Sequence, residues 1–199
     1  MLNASQIVAL QDRCTAAWHK EPPTGHAPDA LLGKVELQHA ENFKLWHHED
    51  DARLQGVALE VIVEAKRSID RVNQRRNDLI EQIDTLLLQE LEKLEMLDSG
   101  ATLHSETPGM IIDRLSILSL KIFHTHEEVT RQNAPEGHRE RNQTRLETLK
   151  EQRSDLAYCL DELWTAIEHG QRRFKLYRQL KMYNDPELNP ALYGKGKTV

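Results

Sequence analysis

NFKLWHHEDDARLQGVALEVIVEAKRSIDRVNQRRNDLIEQIDTLLLQELEKLEML, residues 42–97, decides the fold. It contains no Pro, and its only Gly is Gly56. At roughly 100° per residue, Leu54, Ala58, Val61, Ile62, Ala65, Ile69, Val72, Leu79, Ile80, Ile83 and Leu87 share one face. The stretch therefore reads as helix. A straight helix of this extent would be about 80 Å long at roughly 1.5 Å per residue. That is long for one domain, so a kink or break is expected near Gly56 or before Leu91.

On the N-terminal side, Ser5 to about Lys20 reads as a short amphipathic helix. Asn3 or Ser5 can cap it, and Ile7, Leu10, Cys14, Ala17 and Trp18 line one side. EPPTGHAP, residues 21–28, breaks it with adjacent prolines. Asp29 then caps a second short helix carrying Leu31, Leu32, Val35 and Leu37, expected to bend near His39 into the central stretch.

On the C-terminal side, DSGATLHSET (98–107) reads as a loop. Thr107 before Pro108 is a helix start: a capping hydroxyl, then Pro where its missing N–H costs nothing. That helix is expected to run to about Gln132, with Ile111, Ile112, Leu115, Leu118, Ser119 and Ile122 inward. NAPEGHRER (133–141) is a polar linker. The last helix is expected from near Asn142 to about Tyr183, with Gly170 its weak point and Leu146, Leu149, Leu156, Leu160, Leu163, Trp164 and Ile167 its stripe. Asn184-Asp185-Pro186 ends it, and residues 184–199 form a surface tail. The expectation is one all-α domain over residues 1–199. It would be an antiparallel bundle of long helices with short N-terminal helices, residues 1–28 forming the N-terminal helix and Pro-rich linker.

Composition agrees. Among 199 residues, aromatics are 5% and charged residues 29%, a balance that favours helices over strands. The net charge of -6 argues against nucleic acid as a partner. No apolar run approaches the roughly 20 residues of a membrane span. The N-terminus lacks the features of a secretory signal, so the cytoplasm is the default expectation. Cys14 and Cys159 read as small buried apolar residues of a reducing compartment.

Several side chains break the apolar pattern. Arg76 lies in the central stripe between Val72 and Leu79, and Arg153 in the last stripe between Leu149 and Leu156. A buried guanidinium must be paired, so carboxylates are expected beside them: Asp51, Asp70, Asp84 or Asp113. His47 and Asp51 join the Arg76 face if the helix keeps its phase past Gly56. Lys66, Asp70, Asn73, Asn77, Glu81 and Asp84 form a polar ridge beside the stripe. Such a ridge is ordinarily a solvated face. Two Asn beside a buried Arg also suit the hydrogen-bonding wall of a cavity.

Familiar chemistries fit these residues poorly. A di-iron site needs two Glu-x-x-His pairs, and only Glu36/His39 has that spacing. Within HHEDD (47–51), His47/Asp51 and His48/Asp51 share a helix face and can supply two metal ligands; capping or ion pairing is the ordinary alternative. Glu81 and Asp84 have the Glu-x-x-Asp spacing of the Mg²⁺ carboxylates in all-α nucleotide pyrophosphohydrolases, but Glu60 and Glu64 do not complete that set. At Glu106-Thr107-Pro108-Gly109 a helix N-terminus can bind phosphate or simply be capped.

Four stretches together carry a resemblance: NFKLWHHEDDAR (42–53), IDRVNQRRNDLIEQID (69–84), ETPGMIIDRLSILSLKIFH (106–124) and KMYNDPELNPALY (181–193). The chain past its first helix resembles the bacterial family known as domain of unknown function 4254. That resemblance implies an all-helical bacterial protein and no activity. IDRLSILSLKI (112–122) is similar to a motif in proteins encoded near glycosyltransferase and lipopolysaccharide genes, which implies a cell-envelope glycan setting by association. The matching positions worth attention are Trp46, His47, Glu49, Asp50, Arg53, Asn73, Gln74, Arg76, Asn77, Asp78, Glu106, Asp113, Arg114 and Lys121.

Two classes of function remain open. One is a binding or accessory protein, with a protein partner or a second copy of itself, whose buried charges hold the helices in register. The other is an enzyme or small-molecule binder with a charged interhelical pocket for a phosphate- or carboxylate-bearing ligand. There Arg76, Asn73, Asn77, Asp113, Arg114, Lys121 and Glu106 are the ligand-binding candidates. His47, Glu49 and Asp51 are the acid–base or metal candidates, with a divalent metal as the cofactor in view.

Overall fold

The computed structural model describes residues 2–21, 29–97, 100–180 and 187–190. The described residues are 73% helical. Its elements are α1 (Ala4–Trp18), α2 (Ala30–Asp51), α3 (Leu59–Lys93), β1 (Thr102–Leu103), α4 (Pro108–Thr130), α5 (His138–Glu168) and β2 (Arg172–Arg173). Among the described residues, no helix is long and apolar enough to cross a membrane.

The helix starts follow the capping residues. Asn3 Oδ1 accepts from the Gln6 amide at 2.9 Å and Asp29 Oδ1 from the Leu32 amide at 2.8 Å. Thr107 Oγ1 accepts from the Met110 amide at 3.2 Å, with Pro108 opening α4. The central stretch breaks near Gly56, which adopts φ +74°. The expected bend at His39 does not occur, because α2 continues through it to Asp51.

The break resets the helical phase, which corrects two expectations. Leu54 falls in the turn and Val61 near the start of α3, and both are exposed. His47 and Asp51 belong to a different helix from Arg76, so the projection that put all three on one face fails.

The last helix also ends early, at Glu168 rather than near Tyr183. Gly170 turns left-handed with φ +66°. Its amide donates to the Ile167 carbonyl at 3.0 Å and that of Gln171 to the Ala166 carbonyl at 2.9 Å, which closes a Schellman motif. The chain then runs extended. Arg172 and Arg173 pair in parallel with Thr102 and Leu103, and Phe174 enters the core. The expected loop and tail at 22–28, 98–99, 181–186 and 191–199 lie outside the described residues.

The apolar core joins Ile7 and Leu10 of α1, Ile83, Leu87 and Leu91 of α3, Ile112 and Leu115 of α4, and Leu160, Leu163 and Ile167 of α5. Only Val35 represents α2 among its fully buried apolar members. Cys159 is exposed and Cys14 half-buried, which corrects the expectation that both thiols are interior.

Candidate functional site

The inward face of α2 is polar. Val35, Gln38, His39 and Asn42 recur at helical spacing, and all four are buried. Buried amides and imidazoles need partners, and α1 and α4 supply them. Gln38 Nε2 and Asn42 Nδ2 donate to Asp113 Oδ1 at 2.5 and 2.9 Å. Asn42 Nδ2 also donates to Ser116 Oγ at 2.9 Å. His39 lies between Thr15 Oγ1 at 2.8 Å on its Nε2 and Ser116 Oγ at 2.7 Å on its Nδ1.

These contacts fix the tautomer of His39. Thr15 already donates its hydroxyl proton to the Gln11 carbonyl at 2.9 Å, so it accepts from His39 Nε2–H. Nδ1 then accepts from the Ser116 hydroxyl, whose oxygen accepts from Asn42. Burial pushes the His39 pKa down to about 4, and the ring stays neutral.

Arg76 reaches this network from α3. Its Nε donates to Asp113 Oδ1 at 2.7 Å and its Nη2 to Asp113 Oδ2. Among the four expected carboxylates, Asp113 is thus its partner. The hydrogen bonds to Asp113 raise the guanidinium pKa further above its ordinary value. Among the described residues, Nη1 has only a long contact of 3.4 Å to Asn73 Oδ1. Arg153 pairs instead with Asp12, at 2.7 and 2.8 Å, a partner outside the four expected ones.

Beside Arg76 opens a cleft of about 350 Å³. Leu45, Trp46, Ile117 and Leu120 form its apolar wall. Asn42, Glu49, Asp50, Arg53 and Arg76 form its polar side. Arg53 Nη1 pairs with Glu49 Oε2 at 2.9 Å, one turn away on α2's C-terminal end. The cleft therefore joins two ion pairs and the carboxylate of Asp50 to an indole wall.

The other expected residues scatter. Arg114 and Glu106 pair with each other at 2.8 Å on the surface. Asp51 stands exposed, 3.8 Å from His48. Lys66 and Asp70 pair at 3.5 Å on the solvated part of the ridge. Asn73 and Asn77 are half-buried, and neither lines the cleft. His47 joins a ring cluster with His19 and His124, with ring centres 5.4 and 6.1 Å away. Burial, then the two neighbouring imidazoles, lower its pKa. Among the described residues, no three His, Cys, Asp or Glu side chains are placed to hold a metal ion.

At the start of α4 the anion is internal. Thr107 Oγ1 donates to Asp84 Oδ2, and the Gly109 amide donates to Asp84 Oδ1 at 2.7 Å. A Cβ on Gly109 would lie 2.7 Å from that oxygen, so only glycine admits the carboxylate. Asp84, the last member of the expected ridge, is thus a cap on a neighbouring helix rather than part of a solvated face.

Residues 33–176 match the family described as Protein of unknown function (DUF4254). The chain belongs to this family. No curated protein and no solved structure matches it. The DUF4254 match contains every residue of the cleft and of the Arg76–Asp113 pair. It begins after α1, so Gln11 and Thr15 lie outside it although they complete the hydrogen bonds around His39.

Proposed function

We propose that this DUF4254 protein binds a small molecule carrying a phosphate or carboxylate, with Arg76 as the anion-reading group. One observation carries the reading: Asp113 grips Arg76 through Nε and Nη2, which leaves Nη1, beside the Trp46 cleft, without a carboxylate partner among the described residues. A guanidinium held on one edge loses little freedom when its other edge meets an anion. The apolar wall suits the body of a ligand, and Asn42 and the Glu49–Arg53 pair suit its hydroxyls. The glycan setting implied by the IDRLSILSLKI resemblance would make sugar phosphates and nucleotide-sugars the first members of this class to try.

A thermal-shift screen of divalent metals, nucleotides, nucleotide-sugars and sugar phosphates tests the proposal. A ligand at a hundred times its dissociation constant adds about 2.7 kcal/mol, roughly 5–11 °C for a chain of this length. Arg76→Lys keeps a positive charge on Asp113 but loses the forked geometry, so it should abolish the shift. A shift of full size in Arg76→Lys would refute the assignment.

A second reading, docking on a protein partner or a second copy, has its own support. Leu54, Val57, Leu59, Val61 and Val63 cluster in sequence at the α2–α3 turn and are all exposed, Leu59 to 71%. Light scattering of the wild type and of Val61→Lys/Val63→Lys tests self-association; a wild-type monomer would remove that form of the reading.

A further inference from the structure

Trp46 has a groove on each side. It stacks on His124 with ring centres 4.6 Å apart and planes 9° from parallel. It lines both the Arg76 cleft and a second, more open groove of about 630 Å³ between α4 and α5.

The two grooves differ in charge. In the cleft, Glu49 offsets Arg53 and Asp113 offsets Arg76, and Asp50 adds a further carboxylate at the rim. In the second groove, Lys121 of α4 and Arg145 of α5 converge. Among the described residues, the one carboxylate lining it, Glu128, is already engaged by His138 at 2.7 Å and Arg131 at 3.1 Å. Lys121 and Arg145 therefore leave this groove positive in a chain of net charge -6.

Arg145 is also positioned. Its Nη1 donates to Asn142 Oδ1 at 3.0 Å, and the buried Asn142 is itself fixed by donating to the His138 carbonyl at 2.9 Å. Thr125, Thr148 and Gln152 add hydroxyl and amide groups to the same wall. A fixed guanidinium, a flexible ammonium and neutral hydrogen-bonding groups match an anionic ester better than an apolar ligand.

We infer that the groove and the cleft are two halves of one site, for a hydroxylated, sugar-sized molecule with an anionic group at each end. One group meets Arg76, and the other meets Lys121 and Arg145 across the Trp46–His124 pair. This inference rests on the proposed role of Arg76. The cleft, with its charges met or outweighed by carboxylates, supplies shape, hydrogen bonds and the Arg76 contact, and the positive groove supplies net attraction. Each contact alone is weak, but in one molecule the second becomes intramolecular.

Calorimetric titration with glucose 1-phosphate and glucose 1,6-bisphosphate at low ionic strength tests it. The wild type should bind one bisphosphate per chain at least about tenfold tighter than the monophosphate. Lys121→Gln/Arg145→Gln alters two exposed side chains and gives up one hydrogen bond to Asn142, so its melting should fall by no more than a few degrees. It should bring the affinity ratio close to one while the monophosphate still binds. A wild-type ratio near one, a ratio that survives in the double variant, or binding of neither ester at millimolar concentration would overturn the inference. The two readings fail differently. If Arg76→Lys abolishes monophosphate binding while the wild-type ratio is near one, the Arg76 reading stands and the spanning ligand falls. If Arg76→Lys leaves monophosphate binding unchanged, the Arg76 reading falls, and the spanning ligand with it.

Discussion

Arg76→Leu should destabilise the fold through the charge it leaves behind. Asp113 is 5% exposed and receives two N–H bonds from Arg76 plus the amides of Gln38 and Asn42. Without Arg76 the two amides remain, but among the described residues no other cation pairs with the carboxylate. Removing one partner of a buried ion pair costs roughly 3–5 kcal/mol. The Arg76 side chain is 21% exposed, so water can enter the vacated space, which argues for the lower end, about 3 kcal/mol. For a chain of this length that lowers Tm by roughly 6–12 °C. A double-mutant cycle isolates the cause. Asp113→Asn removes the charge while keeping an acceptor for Gln38 and Asn42. In that background Arg76→Leu should cost about 1 kcal/mol or less, a coupling of about 2 kcal/mol. Urea denaturation of the four proteins, with equal m-values, measures both numbers. A cost within about 0.5 kcal/mol for the single variant, or no coupling, would show the pair to be a solvated surface contact and refute the argument.

Two buried groups make opposite contributions to the pH dependence of stability. His39, lowered from 6.5 to about 4, is deprotonated in the fold where the unfolded chain is protonated, so its contribution to stability rises with pH across that window. Asp84 is raised from 3.8 to about 6 by burial, against the hydrogen bonds of Thr107 and Gly109. It holds a proton in the fold that the unfolded chain has lost, so its contribution falls as pH rises across that window. A tenfold change in proton affinity is worth about 1.4 kcal/mol, so each group contributes roughly 3 kcal/mol, and the two offset. Asp84→Asn should lose stability on acidification from pH 6.5 to 4 and His39→Gln should gain it; slopes of the same sign in denaturation midpoints would sink the pairing. Gly109→Ala would place a Cβ 2.7 Å from Asp84 Oδ1 and 2.9 Å from the Ile80 carbonyl, at a cost of about 2 kcal/mol. An unchanged urea midpoint would disprove that contact. Glu95, just past the end of α3, has φ +56°, so Glu95→Gly should stabilise by about 0.5 kcal/mol; a destabilised variant in the same assay would argue against strain there.

The features legible in the sequence are those with a local cause. Caps at Asn3, Asp29 and Thr107, the break near Gly56 and the stripes of α3, α4 and α5 follow from single residues or from period. The need of Arg76 for a carboxylate is legible too, since a charge inside an apolar stripe must be met. What misleads is continuity. Without Pro the central stretch reads as one helix, and its projection carries His47 and Asp51 onto the wrong face. The polar inner stripe of α2 escapes a reading of the sequence because Gln38, His39 and Asn42 look like surface residues. Their spacing from Val35 is the available signal, but only the placement of Thr15, Asp113 and Ser116 turns that stripe inward. The end of α5 is legible only as a weak point at Gly170, whose left-handed turn closes the helix; that the chain does not resume the helix beyond it, and instead seats Phe174 in the core, leaves no mark in the helical period.

The arrangement of α2 is costly for a helix whose task is only to pack. Leucines at its inner positions would bury apolar area and need no partners, and ion pairs replaced by well-packed apolar residues often give equal or greater stability. Here Gln38 and Asn42 are instead both aimed at one carboxylate oxygen, Asp113 Oδ1, and Ser116 and His39 brace Asn42 from behind. The result is a carboxylate with little freedom to turn, gripping Arg76 by two of its three nitrogens. The same α2 residue, Asn42, lines the cleft that receives Arg76. Buried polarity, guanidinium and cleft thus share their parts. This favours a positioning role for the network over one of register alone, because register needs the ion pair but not the second set of donors on Asp113.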